Sequence, residues 1–191
     1  MSDGPRWHWQ PWQPGQPAEE LARAWLAARL GCDPGAVALA RDAHGRPRLA
    51  PAHGADVGWS HSGGGLLIAH GPRMVLGVDL EREHERPRAL ELARRFFHER
   101  EAAWLEAQER AARSAAFLRL WTAKEAVLKA HGRGLAFGLH RLAFDERDGH
   151  LVLVEADPAL GDPTQWHVRE FVPHPGYRAA LAWKPDNYPD G

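Results

Sequence analysis

The chain has 191 residues, of which 44% are hydrophobic and 26% charged, a composition typical of folded globular proteins and not of disordered ones. Its 24 Lys and Arg are balanced by 25 Asp and Glu, so no overall charge would draw it to nucleic acid or to a membrane surface. No apolar run approaches the length of a membrane span, no secretory signal opens the sequence, and Cys32 has no second cysteine to pair with. We therefore expect a cytoplasmic protein that recognises charged partners through local patches.

The first part of the chain combines strand and helix patterns. Tryptophans and prolines mixed over residues 7–17 predict an edge strand followed by a turn. Apolar residues at helical spacing predict a helix over residues 17–30, which Gly31 ends. Short apolar runs separated by Gly and Pro predict strands at residues 36–40, 66–70 and 74–80. We expect the last two strands to form a hairpin around Gly71 and Pro72.

The second part of the chain begins with helices and ends with strands. Residues 87–130 contain almost no Gly or Pro and are rich in Ala, Glu, Arg and Leu, which predicts two or three helices, the last of them capped by Ser114. Apolar runs then predict strands at residues 141–144, 151–155, 166–172 and 177–183. The tail from Pro185 is expected to fray. This order predicts an α+β protein with two comparable halves, residues 1–85 and 86–191.

Two carboxylates stand at the end of a predicted strand, in the Gly-Val-Asp-Leu-Glu segment of residues 77–81. Strand alternation places Asp79 and Glu81 on one face, with the apolar residues around them on the other. Two carboxylates on one face can share a cation. The alternative is a strand that simply runs out into the charged segment 82–88, because acidic pairs at strand ends are common.

The last predicted helix carries Trp121, Glu125 and Lys129, which are spaced by four residues and share one face. Taken alone, Glu125 and Lys129 could be a solvated pair that stabilises the helix by about 0.3 kcal/mol. The neighbouring Leu and Val residues indicate instead that this helix is largely buried, and buried Lys and Glu are uncommon without a specific partner or function. Both are therefore candidate site residues.

A Ser-His-Ser-Gly-Gly-Gly segment covers residues 60–65, just before a predicted strand. Such glycines let backbone N–H groups approach a phosphate closely, and His61 could add a further donor. Runs of Ser and Gly also mark ordinary turns, and in a chain with 12 histidines a single His carries little weight. The residues alone leave both interpretations open.

Taken in chain order, these segments resemble the signature blocks of one enzyme family, the 4'-phosphopantetheinyl transferases, and most closely its surfactin-synthetase-activating type. The blocks that carry the resemblance are Ser60-His61-Ser62-Gly63, Gly77-Val78-Asp79-Leu80-Glu81, Arg95-Phe96-Phe97 with Glu101, and Trp121-Thr122-Ala123-Lys124-Glu125 with Lys129. Further blocks extend the resemblance over roughly residues 41–183, namely Gly45-Arg46-Pro47 upstream and Pro175-Gly176-Tyr177 downstream. Four short blocks in the right order are more specific than any single motif.

The resemblance implies a fold and a reaction. The fold is α+β with two pseudo-symmetric halves in one chain, each a small antiparallel sheet packed with helix, and the site lies in the cleft between them, so a monomer is expected. The reaction uses magnesium to move 4'-phosphopantetheine from coenzyme A to a serine of an apo acyl or peptidyl carrier protein, and releases 3',5'-ADP. Carriers of this kind serve fatty acid, polyketide or nonribosomal peptide synthesis.

The resemblance also implies roles for individual residues. The residues expected to hold magnesium are Asp79, Glu81 and Glu125. The residues expected to bind coenzyme A are Arg46, Ser60, His61, Lys124 and Lys129, and the charge of Lys129 would also assist catalysis. Glu125 would take the serine proton, directly or through a metal-bound water, with Glu101 as the second candidate for the base. The sequence does not decide between them.

One feature departs from the family pattern. The relatives carry basic residues in a longer N-terminal half, where they grip the 3'-phosphate of coenzyme A, and the segment before residue 17 is too short to align with them. Arg41, Arg46 and Arg48 are candidates to replace those residues. They could equally be ordinary surface charges.

Two rival functions use the same residues differently. A charged helical surface over residues 82–113 could serve to dock a protein partner, in which case the acidic pair would be incidental and no metal would be needed. A magnesium phosphohydrolase could use the same carboxylates and would need no carrier protein. Neither rival explains why the Ser-His-Ser-Gly and Trp-Thr-Ala-Lys-Glu blocks occur together.

Overall fold

The computed structural model describes residues 4–186. Its helices are α1 (Ala18–Leu30), α2 (Ala89–Phe96), α3 (Glu99–Ala107) and α4 (Arg113–His131). Its strands are β1 (Arg6–Pro11), β2 (Leu39–Arg41), β3 (Pro47–Leu49), β4 (Ala55–Ser62), β5 (Gly65–Pro72), β6 (Met74–Arg82), β7 (Leu142–Arg147), β8 (His150–Ala156), β9 (His167–Phe171) and β10 (Tyr177–Pro185). The predicted first helix and helical middle are confirmed. In the tail predicted to fray, Pro185 belongs to β10 and Asp186 donates its N–H to the carbonyl oxygen of Arg73 at 3.2 Å. The remaining residues of that tail, 187–191, lie outside the described part of the chain.

The strands form small antiparallel sheets. One sheet has the order β1-β5-β4 and another the order β6-β10-β9, while β2 with β3 and β7 with β8 form two-stranded hairpins. β1 lies at the edge of its sheet, as its tryptophans and prolines predict. The predicted α+β class, with small antiparallel sheets packed with helices, is confirmed.

The hairpin predicted around Gly71 and Pro72 is wrong. β5 pairs with β1 and β4, whereas the whole length of β6 pairs with β10. Arg73 turns the chain between β5 and β6 in a left-handed conformation, with φ at 50°. Apolar runs identify strands but do not identify their partners, because the partner of a strand can lie far away in the sequence.

Two smaller predictions are also corrected. The strand predicted at residues 36–40 begins only at Leu39, because a short 3₁₀ turn occupies Pro34–Ala36. Ser114 does not cap α4, whose preceding residue is Ala112; its hydroxyl instead accepts the backbone N–H of Arg86 at 3.0 Å. Ser114 therefore ties the start of α4 to the segment that follows β6.

α4 is the central helix of the fold. It packs against β6 and β10, and nearly all of its residues from Ala116 to Ala130 are buried. It ends at Gly132, which takes a φ of 96° and donates its N–H to the carbonyl of Leu128 at 3.0 Å. Because other elements surround the helix, its few polar side chains must find partners inside the protein. Burial of this helix was predicted and is confirmed.

The division of the chain into residues 1–85 and 86–191 stays a prediction. β6 lies before this boundary and β10 after it, yet the two strands share one sheet. The segments on either side of the boundary therefore meet through backbone hydrogen bonds as well as through side chains. Across residues 4–186, no helix has the length and apolar character needed to cross a membrane.

Candidate active site

β4 and β6 lie side by side and run in the same direction. Ser60 Oγ donates to Asp79 Oδ1 at 3.0 Å, and two residues further along both strands Ser62 Oγ donates to Glu81 Oε2 at 3.1 Å. Strand alternation therefore places both hydroxyls and both carboxylates in the gap between the strands. The prediction that Asp79 and Glu81 share a face is confirmed.

Asp79 is the most enclosed of these carboxylates, with 4% of its surface exposed. Its Oδ1 accepts from Lys129 Nζ at 2.6 Å, and the same ammonium donates to Ser60 Oγ at 2.9 Å. Its Oδ2 is buried and has no hydrogen-bond partner. Burial raises the pKa of Asp79, although the charge of Lys129 opposes that rise. An unpartnered oxygen on a buried carboxylate is an open position for a further donor or a cation.

Glu125 reaches the same cluster from α4. Burial, followed by the negative charges of Asp79 and Glu81, raises its pKa to about 7, while the charge of Lys129 acts in the opposite direction. Glu125 is buried, with only 6% of its surface exposed. A group with this pKa can both give up and take a proton near neutral pH.

A basic cavity of about 280 Å³ opens beside this cluster. Its charged lining residues are Arg41, His44, Arg46, Lys129 and Arg133. Within the described residues no carboxylate lines it. Lys129 belongs to both features, because it lines the cavity and binds Asp79. A ligand that carries several negative charges matches this lining.

Arg46 is buried at the wall of the cavity, with 7% of its surface exposed. Its guanidinium contacts Asp56 and donates to the carbonyl oxygens of Leu76 at 2.7 Å and Lys129 at 2.9 Å. Its Nη1 is buried without a partner. Arg46 therefore joins the hairpin of β2 and β3 to β6 and to the end of α4, and keeps one nitrogen available.

The other predicted basic candidates occupy different positions. The exposed His61 points away from Asp79 and stacks on Trp12, with ring centroids 4.1 Å apart. Arg41 lies over the ring of Trp59 at 5.5 Å and also lines the cavity. Arg48 is half-exposed and faces Asp42 at 3.4 Å. The structure brings Arg41 to the cavity and places neither His61 nor Arg48 in its lining.

Lys124 and Glu101 form a separate buried ion pair. The distance from Lys124 Nζ to Glu101 Oε2 is 2.6 Å, and neither side chain has any exposed surface. The structure gives no support to two predicted roles, coenzyme A binding by Lys124 and proton abstraction by Glu101, because a ligand has no access to either group. Burial explains the difference: alternate residues of a fully enclosed helix point into different parts of the core.

The carboxylate cluster can be tested as a site for a divalent cation. Its oxygen donors are the type that magnesium prefers, Asp79 Oδ2 lacks a partner, and burial together with the charges of Asp79 and Glu81 raises the pKa of Glu125. As the side chains stand, no three His, Cys, Asp or Glu residues in the described part of the chain are close enough to hold a metal ion. The Lys129 ammonium donates a hydrogen bond to Asp79 Oδ1 in this arrangement. The donor set therefore fits such a cation, provided that Lys129 and the carboxylates move.

The sequence model of the 4'-phosphopantetheinyl transferase superfamily matches residues 75–182, which is more than half of the chain and covers most of β6, all of α4 and the larger part of β10. The chain belongs to this superfamily. It is an enzyme of the 4'-phosphopantetheinyl transferase class, and the family resemblance read from the sequence is confirmed.

Several curated proteins are similar to this transferase over most of its length. A Synechocystis protein provisionally named as a 4'-phosphopantetheinyl transferase is 33% identical over 169 residues, which is 84% of this chain and 68% of that protein. The 4'-phosphopantetheinyl transferase HetI of Nostoc is 32% identical over 174 residues, 86% of this chain and 70% of that protein. The 4'-phosphopantetheinyl transferase Sfp of Bacillus subtilis is 25% identical over 170 residues, 89% of this chain and 73% of that protein. The chain is also similar to the crystal structure of Thermotoga maritima holo-[acyl-carrier-protein] synthase, with a TM-score of 0.48 and 24% identity, over 61% of this chain and 67% of that chain.

Sequence reasoning missed several residues of this region. Asp56 holds Arg46 and also accepts the backbone N–H of Leu76 at 2.7 Å. His44 and Arg133 also line the cavity. A signal existed for Asp56 alone, because an acid inside the apolar segment that precedes Trp59 needs a buried partner.

Proposed function

We propose that this transferase moves 4'-phosphopantetheine from coenzyme A to a serine of an apo acyl or peptidyl carrier protein and releases 3',5'-ADP. The observation that carries the proposal is the position of Lys129, which joins the carboxylate cluster to the basic cavity. Membership of the superfamily and the transferase names of its relatives support the same reaction.

The basic cavity is the proposed site for the phosphates of coenzyme A. Coenzyme A carries a diphosphate and a 3'-phosphate, and arginine and lysine side chains bind such groups through charge-assisted hydrogen bonds. Arg46 has a buried, unpartnered Nη1 at the cavity wall, and Arg41 and Arg133 lie at the same cavity. Lys129 would contact the diphosphate at the edge nearest Asp79.

Magnesium is proposed as the metal cofactor, with Asp79, Glu81 and Glu125 as the residues that would hold it. When bound, it would supply positive charge against the negative charge that builds up on the diphosphate. Ser60 and Ser62 donate to Asp79 and Glu81, and so fix the orientation of these two carboxylates. The hydroxyls therefore act as positioning groups.

The reaction transfers one phosphoryl centre. The serine oxygen of the carrier bonds to the phosphorus that bears pantetheine, the bond from this phosphorus to the bridging oxygen breaks, and 3',5'-ADP leaves with the electron pair. Lys129 lies where it can stabilise the charge on the phosphates. Glu125, whose pKa is about 7, is the proposed base for the serine proton. The side chain of Glu101 is fully buried and paired with Lys124, which favours Glu125 over Glu101 as the base.

Intact mass spectrometry tests the proposal. The protein is incubated with coenzyme A, magnesium and a panel of apo carrier proteins, and we expect one carrier to gain a single phosphopantetheine group while 3',5'-ADP appears in equal amount. A carrier whose serine is replaced by alanine is the matched control. Release of phosphopantetheine without a carrier would indicate a phosphohydrolase, and no change in any carrier would contradict the transfer. A monomeric state and a cytoplasmic location stay predictions.

A further inference from the structure

The buried pair of Lys124 and Glu101 connects three elements of the fold. Lys124 Nζ contacts Glu101 Oε2 at 2.6 Å and donates to the carbonyl oxygens of Leu139 at 2.7 Å and Leu142 at 2.5 Å. These three acceptors use all three protons of the ammonium. Lys124 therefore has no donor left for a ligand.

Glu101 is saturated in the same way. Its Oε1 accepts the backbone N–H of Phe144 at 2.9 Å, and its Oε2 accepts the backbone N–H of His98 at 3.1 Å as part of the capping box of α3. The pair thus links the start of α3, the middle of α4 and the segment that enters β7. In the part of the fold described, none of these contacts involves the carboxylate cluster or the basic cavity.

The position of Lys124 on α4 shows how this link could affect the candidate site. Successive residues of a helix point about 100° apart, so Lys124 faces α3 and β7 while Glu125 faces Asp79. A long side chain held at its tip by three acceptors opposes rotation of the helix about its own axis. Rotation by one residue position would take Glu125 and Lys129 away from Asp79.

We infer that Lys124 and Glu101 are positioning residues, which hold α4 at the rotation that points Glu125 and Lys129 toward Asp79. They touch neither coenzyme A nor the carrier. The effect on turnover rests on the proposed function, whereas the effect on folding and helix position does not. Under this inference Glu101 has a structural role, which is to fix the rotation of α4, and no catalytic role.

A double-mutant cycle tests the inference. The variants are Glu101→Gln, Lys124→Met and the two combined, and thermal unfolding and turnover are measured for each. Each single change leaves one buried charged or polar group without its partner, so we expect the melting temperature to fall by about 6 °C or more. The double variant removes both buried charges, so we expect part of this loss to be recovered. The rest should remain, because a glutamine amide can accept only one of the two backbone N–H groups that Glu101 binds, and the carbonyls of Leu139 and Leu142 lose their donor.

Turnover separates positioning from plain loss of stability. Leu26→Ala, a change in the fully buried part of α1, is the control that lowers the melting temperature by a similar amount without touching α4. Turnover is compared at a temperature where every variant is folded. We expect Leu26→Ala to keep the kcat of the parent and each single variant to lose about tenfold or more in kcat through misplaced catalytic groups. The double variant should regain part of that kcat.

Two results would overturn the inference. A folded double variant with kcat reduced by about a hundredfold or more would make Glu101 a catalytic group. Single variants with the stability and kcat of the parent would mean that the pair positions nothing. If the parent itself transfers no phosphopantetheine, the proposed function fails, and the unfolding measurements still decide whether the two residues are coupled.

Discussion

A Cβ atom on Gly77 would lie 1.9 Å from the carbonyl oxygen of Ala126, so α4 crosses β6 with no space for a side chain between them. The same atom would lie 2.5 Å from the backbone nitrogen of Ala130. This close crossing is what lets Glu125 and Lys129, on either side of Ala126, reach Asp79 on β6. Gly77, Ala126 and Ala130 therefore set the distance between α4 and β6, the helix and the strand that carry most of the candidate site.

Replacement of Gly77 by alanine should damage both folding and activity. The added methyl group meets backbone atoms that cannot rotate away, so α4 must shift, and we expect the melting temperature to fall on the order of 5–10 °C. Gly35→Ala is the matched control, because no atom lies within 4 Å of its added Cβ. Thermal unfolding of both variants checks this expectation, and equal melting temperatures would contradict the close crossing.

Lys129→Met should change the binding of metal and of coenzyme A in opposite directions. The ammonium of Lys129 occupies Asp79 Oδ1 at 2.6 Å, so its removal frees the carboxylate, and a divalent cation should bind more tightly in the absence of coenzyme A. Coenzyme A should bind about tenfold more weakly, because a charge-assisted hydrogen bond is lost. Calorimetric titration with magnesium alone and with coenzyme A alone measures both effects. Weaker binding of both ligands would show that Lys129 does not compete with the cation.

Glu125→Gln should stabilise the metal-free protein above neutral pH. Folding raises the pKa of Glu125 from 4.5 to about 7, so the folded protein resists ionisation of this group. As the pH rises from about 4.5 to 7, the unfolded chain loses this proton before the folded protein does, and the free energy of unfolding falls by an amount on the order of 2–3 kcal/mol. Glu125→Gln has no ionisable group at this position, so its free energy of unfolding does not fall in this way. Urea unfolding with EDTA should therefore give equal stabilities at pH 4 and a more stable variant at pH 8.

The same variant separates the two roles of Glu125. Turnover should fall steeply at saturating magnesium if Glu125 is the base, and should respond to added magnesium if it serves only as a ligand. A variant that matches the parent in stability at pH 8 and in turnover would remove Glu125 from the candidate site.

Arg133→Ala should weaken coenzyme A binding without affecting the fold. Arg133 is exposed and lines the basic cavity, so it should contribute about two- to fivefold in affinity, and this contribution should shrink as salt is added. Arg147→Ala, an exposed arginine that does not line the cavity, is the control. Isothermal titration at low and high salt measures the difference. Equal affinities for the two variants would place the phosphates elsewhere.

Carrier docking should involve the helical middle of the chain and should depend on salt. The helical middle carries four arginines that are candidates for docking, namely Arg94, Arg95, Arg100 and Arg110. Arg94 lies 2.5 Å from Glu106 and Arg100 lies 3.0 Å from Glu155, so two of these charges are already compensated. Carrier proteins are acidic around their serine, and Arg110→Gln should therefore raise the KM for the carrier more than Arg94→Gln does. Both KM values should rise with salt. A KM that is independent of salt would favour apolar docking.

The sequence alone sufficed for features that depend on local pattern. The helix at residues 18–30, the edge position of β1 and the shared face of Asp79 and Glu81 follow from periodicity, turn residues and strand alternation. The order of short motifs was enough to identify the superfamily.

Features that depend on contacts between residues far apart in the chain could not be predicted from local sequence patterns. The pairing of β6 with β10 replaced a predicted hairpin, because strand partners are chosen by the packing of the whole sheet. Lys124 and Glu125 are adjacent and both charged, yet helical rotation sends one into a closed ion pair and the other to the carboxylate cluster. Only the surroundings of the helix distinguish these two residues.

During translation, β6 emerges from the ribosome long before the strand that completes its sheet. Asp79 lies opposite Ala180 in the finished ladder, so the nascent chain must grow by roughly 100 residues, or on the order of 10 s, before this pairing can form. Throughout that interval the edge of β6 is unpaired and open to association with other chains. If a ribosome stalled before Tyr177, every candidate metal ligand and phosphate-binding residue would already be synthesised. The strand that pairs with β6 would still be missing, so the transferase could not complete its fold.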